Sequence, residues 1–134
     1  MNSPSEHASF FAAYVEAALW SSNDESTPEG GEPMDRNYGP EDIHPDTLDQ
    51  MEKDCAAFYA AHGHEFVWEN LTRSISCAPD EYAGHDFWLT RNGHGCGFWD
   101  GDWKEELGRR LTNAAKEYGE FNLYIGDDGE VHGT

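Results

Sequence analysis

The sequence predicts an α+β fold: N-terminal helices plus a small antiparallel sheet with one packed helix in the C-terminal half. Three observations point there. Apolar residues recur at helical spacing in two segments before residue 63, a third such stripe runs from Trp103 to Tyr118, and strict alternation first appears at Phe121, Leu123 and Ile125. At 134 residues the chain suits one domain, 1–134.

The first helix opens at Ser3-Pro4-Ser5-Glu6, with Pro in the first turn, and places Phe10, Phe11, Tyr14, Val15, Ala18 and Leu19 on one stripe ending near Trp20. Residues 21–41 are rich in Ser, Asn, Asp, Glu, Pro and Gly, which predicts a long, exposed, mobile acidic loop anchored by Met34 and Tyr38. A second helix starts at His44-Pro45-Asp46 and stops at Gly63. Its wheel puts Leu48, Met51, Cys55, Phe58 and Tyr59 on the core face and Asp42, Asp46, Asp49 and Glu52 in an opposite row.

The stretch 65–71 reads as a short helix, and 77–80 as a loop. His85 to Thr90 reads as a strand ending in a tight turn at Asn92-Gly93. The helix from Trp103 to Tyr118 carries the pairs Glu105–Arg109 and Glu106–Arg110 and stops at Gly119. The last strand turns at Asp128-Gly129.

Charge restricts function more sharply than pattern does. Eight Lys and Arg oppose 27 Asp and Glu, a formal charge of −19, which argues against direct contact with nucleic acid or an anionic membrane. Leu, Ile, Val and Phe together number only 20, yet seven Phe, five Trp and six Tyr supply enough area for a folded core. The three cysteines form no CxxC, and with no leader or apolar span in the sequence they imply a reducing cytoplasm. Residues 21–54 hold eleven acids against Arg36 and Lys53, a net of −9. Carboxylates three or four residues apart on a helix are spaced roughly 5–6 Å at Cβ, close to successive phosphates on one strand. This pattern predicts a partner surface of Asp42, Asp46, Asp49 and Glu52, extended by Asp24, Glu25, Glu29, Glu32 and Asp35. The same acids would also serve solubility alone.

A second reading is a metal-dependent enzyme or metal-binding module at His85, His94, Asp100 and Asp102, with Asp86 and Cys96 nearby. The spacing matches no metal signature, and glycines that permit close aromatic packing explain the region more simply. A strongly negative field raises the Cys96 thiol pKa and argues against a nucleophile. The run Gly93-His94-Gly95-Cys96-Gly97 departs from GxGxxG, so no cofactor is expected there.

The block Gly84-His85-Asp86-Phe87-Trp88-Leu89-Thr90-Arg91-Asn92-Gly93-His94-Gly95-Cys96-Gly97-Phe98-Trp99-Asp100, with Tyr124-Ile125-Gly126-Asp127-Asp128-Gly129, resembles a segment of small uncharacterised phage and mobile-element proteins. Cys96 and Gly101 depart from it, where a small non-thiol residue and a base are expected. In its charge, the N-terminal half resembles phage anti-CRISPR proteins and anti-restriction DNA mimics. That resemblance implies a non-enzymatic inhibitor in the host bacterial cytoplasm, partnered with a nucleic-acid-binding defence complex. A Cas surveillance complex, type I first, is the expected partner.

Overall fold

In the computed structural model, residues 7–26, 30–94 and 96–134 are described. The elements are helix α1 (Ala8–Ser21), strands β1 (Asn23–Asp24) and β2 (Glu32–Pro33), helices α2 (Pro45–His62), α3 (Pro79–Arg91) and α4 (Glu105–Lys116), and strands β3 (Leu123–Ile125) and β4 (Val131–Gly133). Both sheets are two-stranded and antiparallel, and the second pairs Tyr124 with His132 and Ile125 with Val131. The α+β expectation holds, with two helices rather than one in the C-terminal half.

Most boundaries follow from local chemistry. Pro45 and Pro79 each sit in a first turn, where the missing N–H is not needed. His44 caps α2 by accepting the Asp46 N–H at Nδ1. The predicted Ser3-Pro4-Ser5-Glu6 start of α1 lies outside the described residues, as does Gly95.

The strand expected at 85–90 is instead the second half of α3. Every residue from Asp86 to Arg91 is buried, so the helix lacks the polar face that would have revealed its period. It packs along α1, and Gly84 makes the close approach possible: a Cβ there would lie 2.2 Å from the Phe10 carbonyl oxygen. The Asn92-Gly93 pair ends this helix rather than joining two strands.

Smaller departures have local causes. Stretch 63–70 forms two 3-10 turns; α2 ends at His62 with Gly63 as its C-cap, as expected, although that glycine is right-handed rather than left-handed. Helix α4 is shorter than its apolar stripe because Trp103 bridges to Leu71 ahead of it. Arg109 pairs with Glu105 as expected, whereas Arg110 reaches across to Glu65 at 2.9 Å rather than to Glu106. Segment 21–41 is not simply an exposed loop. Its hairpin leads into a 3-10 turn at Met34–Arg36, and Met34 is fully buried.

The core is aromatic, with Phe58 stacked on Phe87 at 4.1 Å and Phe10, Phe66 and Phe98 around them. Trp88 and Trp103 are buried, while Trp20, Trp68 and Trp99 are exposed.

Arg91 crosses this core. Its guanidinium donates to Asp54 Oδ2 (2.9 Å), the Tyr14 hydroxyl (3.0 Å) and the carbonyls of Tyr118 and Gly119 (3.0 and 2.8 Å). It also lies 5.6–5.7 Å from the ring centroids of Phe87, Tyr118 and Phe121. Replacing Arg91 by Met keeps the apolar stem and removes every donor, so urea unfolding is expected to show a loss of about 3–5 kcal/mol. Arg91→Lys should recover only part of that, because an ammonium cannot reproduce the planar fork.

Candidate functional site

The predicted acidic surface is only partly available. Asp46, Asp49 and Glu52 are exposed on α2, and Asp49 is joined to Lys53 at 3.0 Å. Asp42 is not on that helix. It lies in a 3-10 turn, and its Oδ2 accepts the Gly39 N–H at 2.8 Å. Asp24 is buried as a residue and tied up locally, accepting the hydroxyl and then the backbone N–H of Ser26, which hold its carboxyl below the usual range. Glu25, Glu32 and Asp35 are exposed, with Glu32 bonded to Arg36 and Asn37. Glu29 lies outside the described residues.

These acids do not stand alone. Glu25 shares a groove with Leu123, Tyr124 and Ile125, so the first hairpin adjoins the second. Strand β4 in turn bridges to Ile43, and the His44 N–H donates to the Val131 carbonyl, which ties the second hairpin to the start of α2. The acids of the first hairpin, those of the 127–130 turn and those of α2 therefore lie on connected elements. Six of the eight basic side chains are held in ion pairs with carboxylates, which leaves acidic charge in large excess.

The residues of the metal reading do not converge. His85 Nε2 lies 3.1 Å from Glu16 Oε1 on α1. His94 lines a separate groove with Ser21 and Trp88. Asp100 closes a turn by accepting the Gly97 N–H. Asp102 accepts from Arg73 and from the Tyr82 hydroxyl, and the Arg73 bond is the main reason its carboxyl stays below the usual range. Cys96 is exposed, and partial burial followed by the charges of Asp100 and Asp86 raises its thiol pKa, opposite to what a nucleophile needs.

Asp86 is a structural acid. It accepts the Trp103 indole N–H at 2.7 Å, and burial, aided by the charges of Asp100 and Asp102, pushes its pKa up to about 8.

One cluster was not legible in the sequence. Donor atoms of His44, Asp128 and Glu130 lie within 4.8 Å of one another, and His132 stands beside them with Nε2 2.9 Å from Asp128 Oδ2. The Glu130 N–H, with help from His132, keeps the Asp128 carboxyl below the usual range. In the sequence, His44 marks only the start of a helix and Asp128 only part of a turn. A groove of about 440 Å³ between Trp99, Trp103 and α4 is lined by Thr72, Glu105, Arg109 and Thr112.

Comparison with protein-family models, curated proteins and solved structures finds no match to this chain. Among the described residues, no helix is long and apolar enough to cross a membrane.

The raised pKa of Asp86 gives stability a defined pH dependence. The folded protein binds this proton more tightly than the unfolded chain, so the contribution is full below about pH 4 and is lost as pH rises toward 8. Asp86→Asn cannot ionise, so its stability relative to the parent protein should improve by a few kcal/mol between pH 5 and pH 8. Urea midpoints of both proteins at the two pH values check this, and an equal difference at each would refute it.

Proposed function

We propose that this protein is a non-enzymatic acidic inhibitor that occupies the cationic groove of a nucleic-acid-binding defence complex in place of DNA. The observation that supports it most is the exposed set Asp46, Asp49 and Glu52 on one rigid helix, in a chain of net charge −19 whose few bases are mostly committed to ion pairs. A fixed helix holds three carboxylates in place, so binding would cost less ordering entropy than recruiting a flexible acidic tail. The negative field steers a Lys/Arg-lined groove into encounter and weakens as salt rises. Glu25 and Glu32 on the first hairpin and Asp35 in the 3-10 turn after it add further exposed carboxylates, in place of the wider surface that included Asp24 and Asp42.

Within that class, a type I CRISPR surveillance complex in the host cytoplasm is the proposed partner, and a restriction enzyme is the alternative. Solubility alone accounts less well for the distribution, because a small domain needs a net charge of only about 2–8 for that purpose.

A gel-shift titration of target DNA against purified type I complex tests the reading. The protein should displace DNA competitively, with inhibition weakening between 50 and 300 mM salt. The triple variant Asp46→Asn, Asp49→Asn, Glu52→Gln should need about tenfold more protein for the same effect. Full inhibition by the triple variant would remove the α2 face from the proposal. No inhibition of either a CRISPR complex or a restriction enzyme would remove the function.

A further inference from the structure

The cluster at the start of α2 is built differently from the acidic face. Its members come from three places: His44 is the residue ahead of α2, Asp128 and Glu130 belong to the turn between β3 and β4, and His132 lies on β4. Backbone bonds fix all three relative to one another. The Ile43–Val131 bridge and the His44 N–H to Val131 carbonyl bond (2.8 Å) hold the helix start on the hairpin. The hairpin is closed by the Gly126 N–H to Glu130 carbonyl bond (2.9 Å), with Gly129 at φ +81°. A Cβ on Gly126 would come within 2.6 Å of His132 Cδ2 and 3.0 Å of Asp128 Oδ1, so this glycine lets ring and carboxylate close over the turn.

We propose that His44, Asp128 and Glu130 form a binding site for one divalent transition-metal ion of the zinc class, with His132 orienting Asp128. One imidazole and two carboxylates are the donor types such ions accept, and three protein ligands leave a coordination position open. Mg²⁺ and Ca²⁺ favour all-oxygen sets and fit a histidine-containing site less well. Two ligands at about 2.1 Å from a tetrahedral ion stand about 3.4 Å apart. The observed limit of 4.8 Å therefore asks for a contraction on binding, which falls to the Asp128 and Glu130 carboxylates because the His44 ring is stacked on His132.

The surroundings favour a cation. Among the described residues, neither Asp128 nor Glu130 is paired with a Lys or Arg, and the ion-pair partner of Asp128 is His132. Asp128 is exposed, which gives an ion a path from solvent. The rings of His44 and His132 stack at 4.7 Å, limiting rotation of both. Coordination through His44 Nε2 would move the imidazole proton to Nδ1, which would then give up the Asp46 N–H it accepts as the cap of α2. Asp46 Oδ2 lies 4.0 Å from that atom and can take its hydrogen bond, giving a carboxylate–histidine–metal arrangement. His132 plays the corresponding part for Asp128, with Nε2 2.9–3.0 Å from both carboxylate oxygens.

The test is calorimetric titration of chelator-treated, tag-free protein with Zn²⁺. The full chain should bind one tight equivalent, and Asp128→Asn with Glu130→Gln should weaken it at least tenfold. Asp49→Asn with Glu52→Gln removes the same charge elsewhere and should leave it unchanged, as should Cys96→Ser. Zinc should also move the imidazole ¹⁵N resonances of His44 in the unmodified protein, a readout independent of whether any variant folds. Mg²⁺ should bind far more weakly. The proposal is overturned by equal zinc affinity in the two charge-matched double variants, by loss on Cys96→Ser, by Mg²⁺ binding as tightly as Zn²⁺, or by unmoved His44 resonances at saturating zinc. None of these outcomes depends on whether the protein inhibits a defence complex.

Discussion

The burial of Arg91 is the constraint on which the arrangement of the helices depends. A guanidinium taken out of water must find partners for its donors, since an unpaired buried charge costs several kcal/mol. Here the partners come from everywhere around it: Tyr14 on α1, Asp54 on α2 and the carbonyls of Tyr118 and Gly119 beyond α4. Moving any one of these elements would leave a donor or acceptor unsatisfied in the core. Because the two carbonyls lie where the chain leaves α4, Arg91 also sets the direction from which β3 begins. The second hairpin and, through the Ile43–Val131 bridge, the start of α2 follow from it.

Residues 84–94 and 96–100 are mostly accounted for by this scaffold. Gly84 meets the Phe10 carbonyl, Asp86 receives the Trp103 indole, Trp88 donates to Ser21, and the Thr90 hydroxyl accepts the Phe98 N–H. Such a block looks chemical in sequence because Asp, His, Arg and Thr are dense in it. In the fold, Asp86, Thr90 and Arg91 face inward and secure the packing of an aromatic core, a role that aliphatic side chains fill in most domains.

Sequence reading succeeded where one face of an element meets water. Helices α2 and α4 keep a period because their outer residues are polar. Helix α3 loses it: enclosed from Asp86 to Arg91, and containing Phe87, Trp88 and Thr90, it offers the composition of a strand with no alternation to test it. The site was legible in the same limited sense. Wheel positions found Asp46, Asp49 and Glu52, but Asp24 and Asp42 belong to a residue type that also caps turns, and here the local N–H groups of Ser26 and Gly39 claim them. The His44 cluster left no trace, because its members meet only through strand pairing.

These two uses of carboxylates explain how so acidic a chain can stay folded. Repulsion is reduced where a proton, an N–H group or a base answers the charge, as at Asp86, Asp24, Asp42, Asp54 and Asp102. What remains unanswered is pushed outward, onto the face of α2 and the two hairpins. Surface repulsion there is mild in water, since like charges at helical spacing repel by only about a few tenths of a kcal/mol per pair. The same charges become strong once water is displaced by a cationic surface or an ion, because the local dielectric falls and only exposed bases, Lys53 at Asp49 and Arg36 at Glu32, compete for them. The fold thus keeps the energetic cost of its charge low in isolation and leaves the free carboxylates to interact most strongly with something outside the chain.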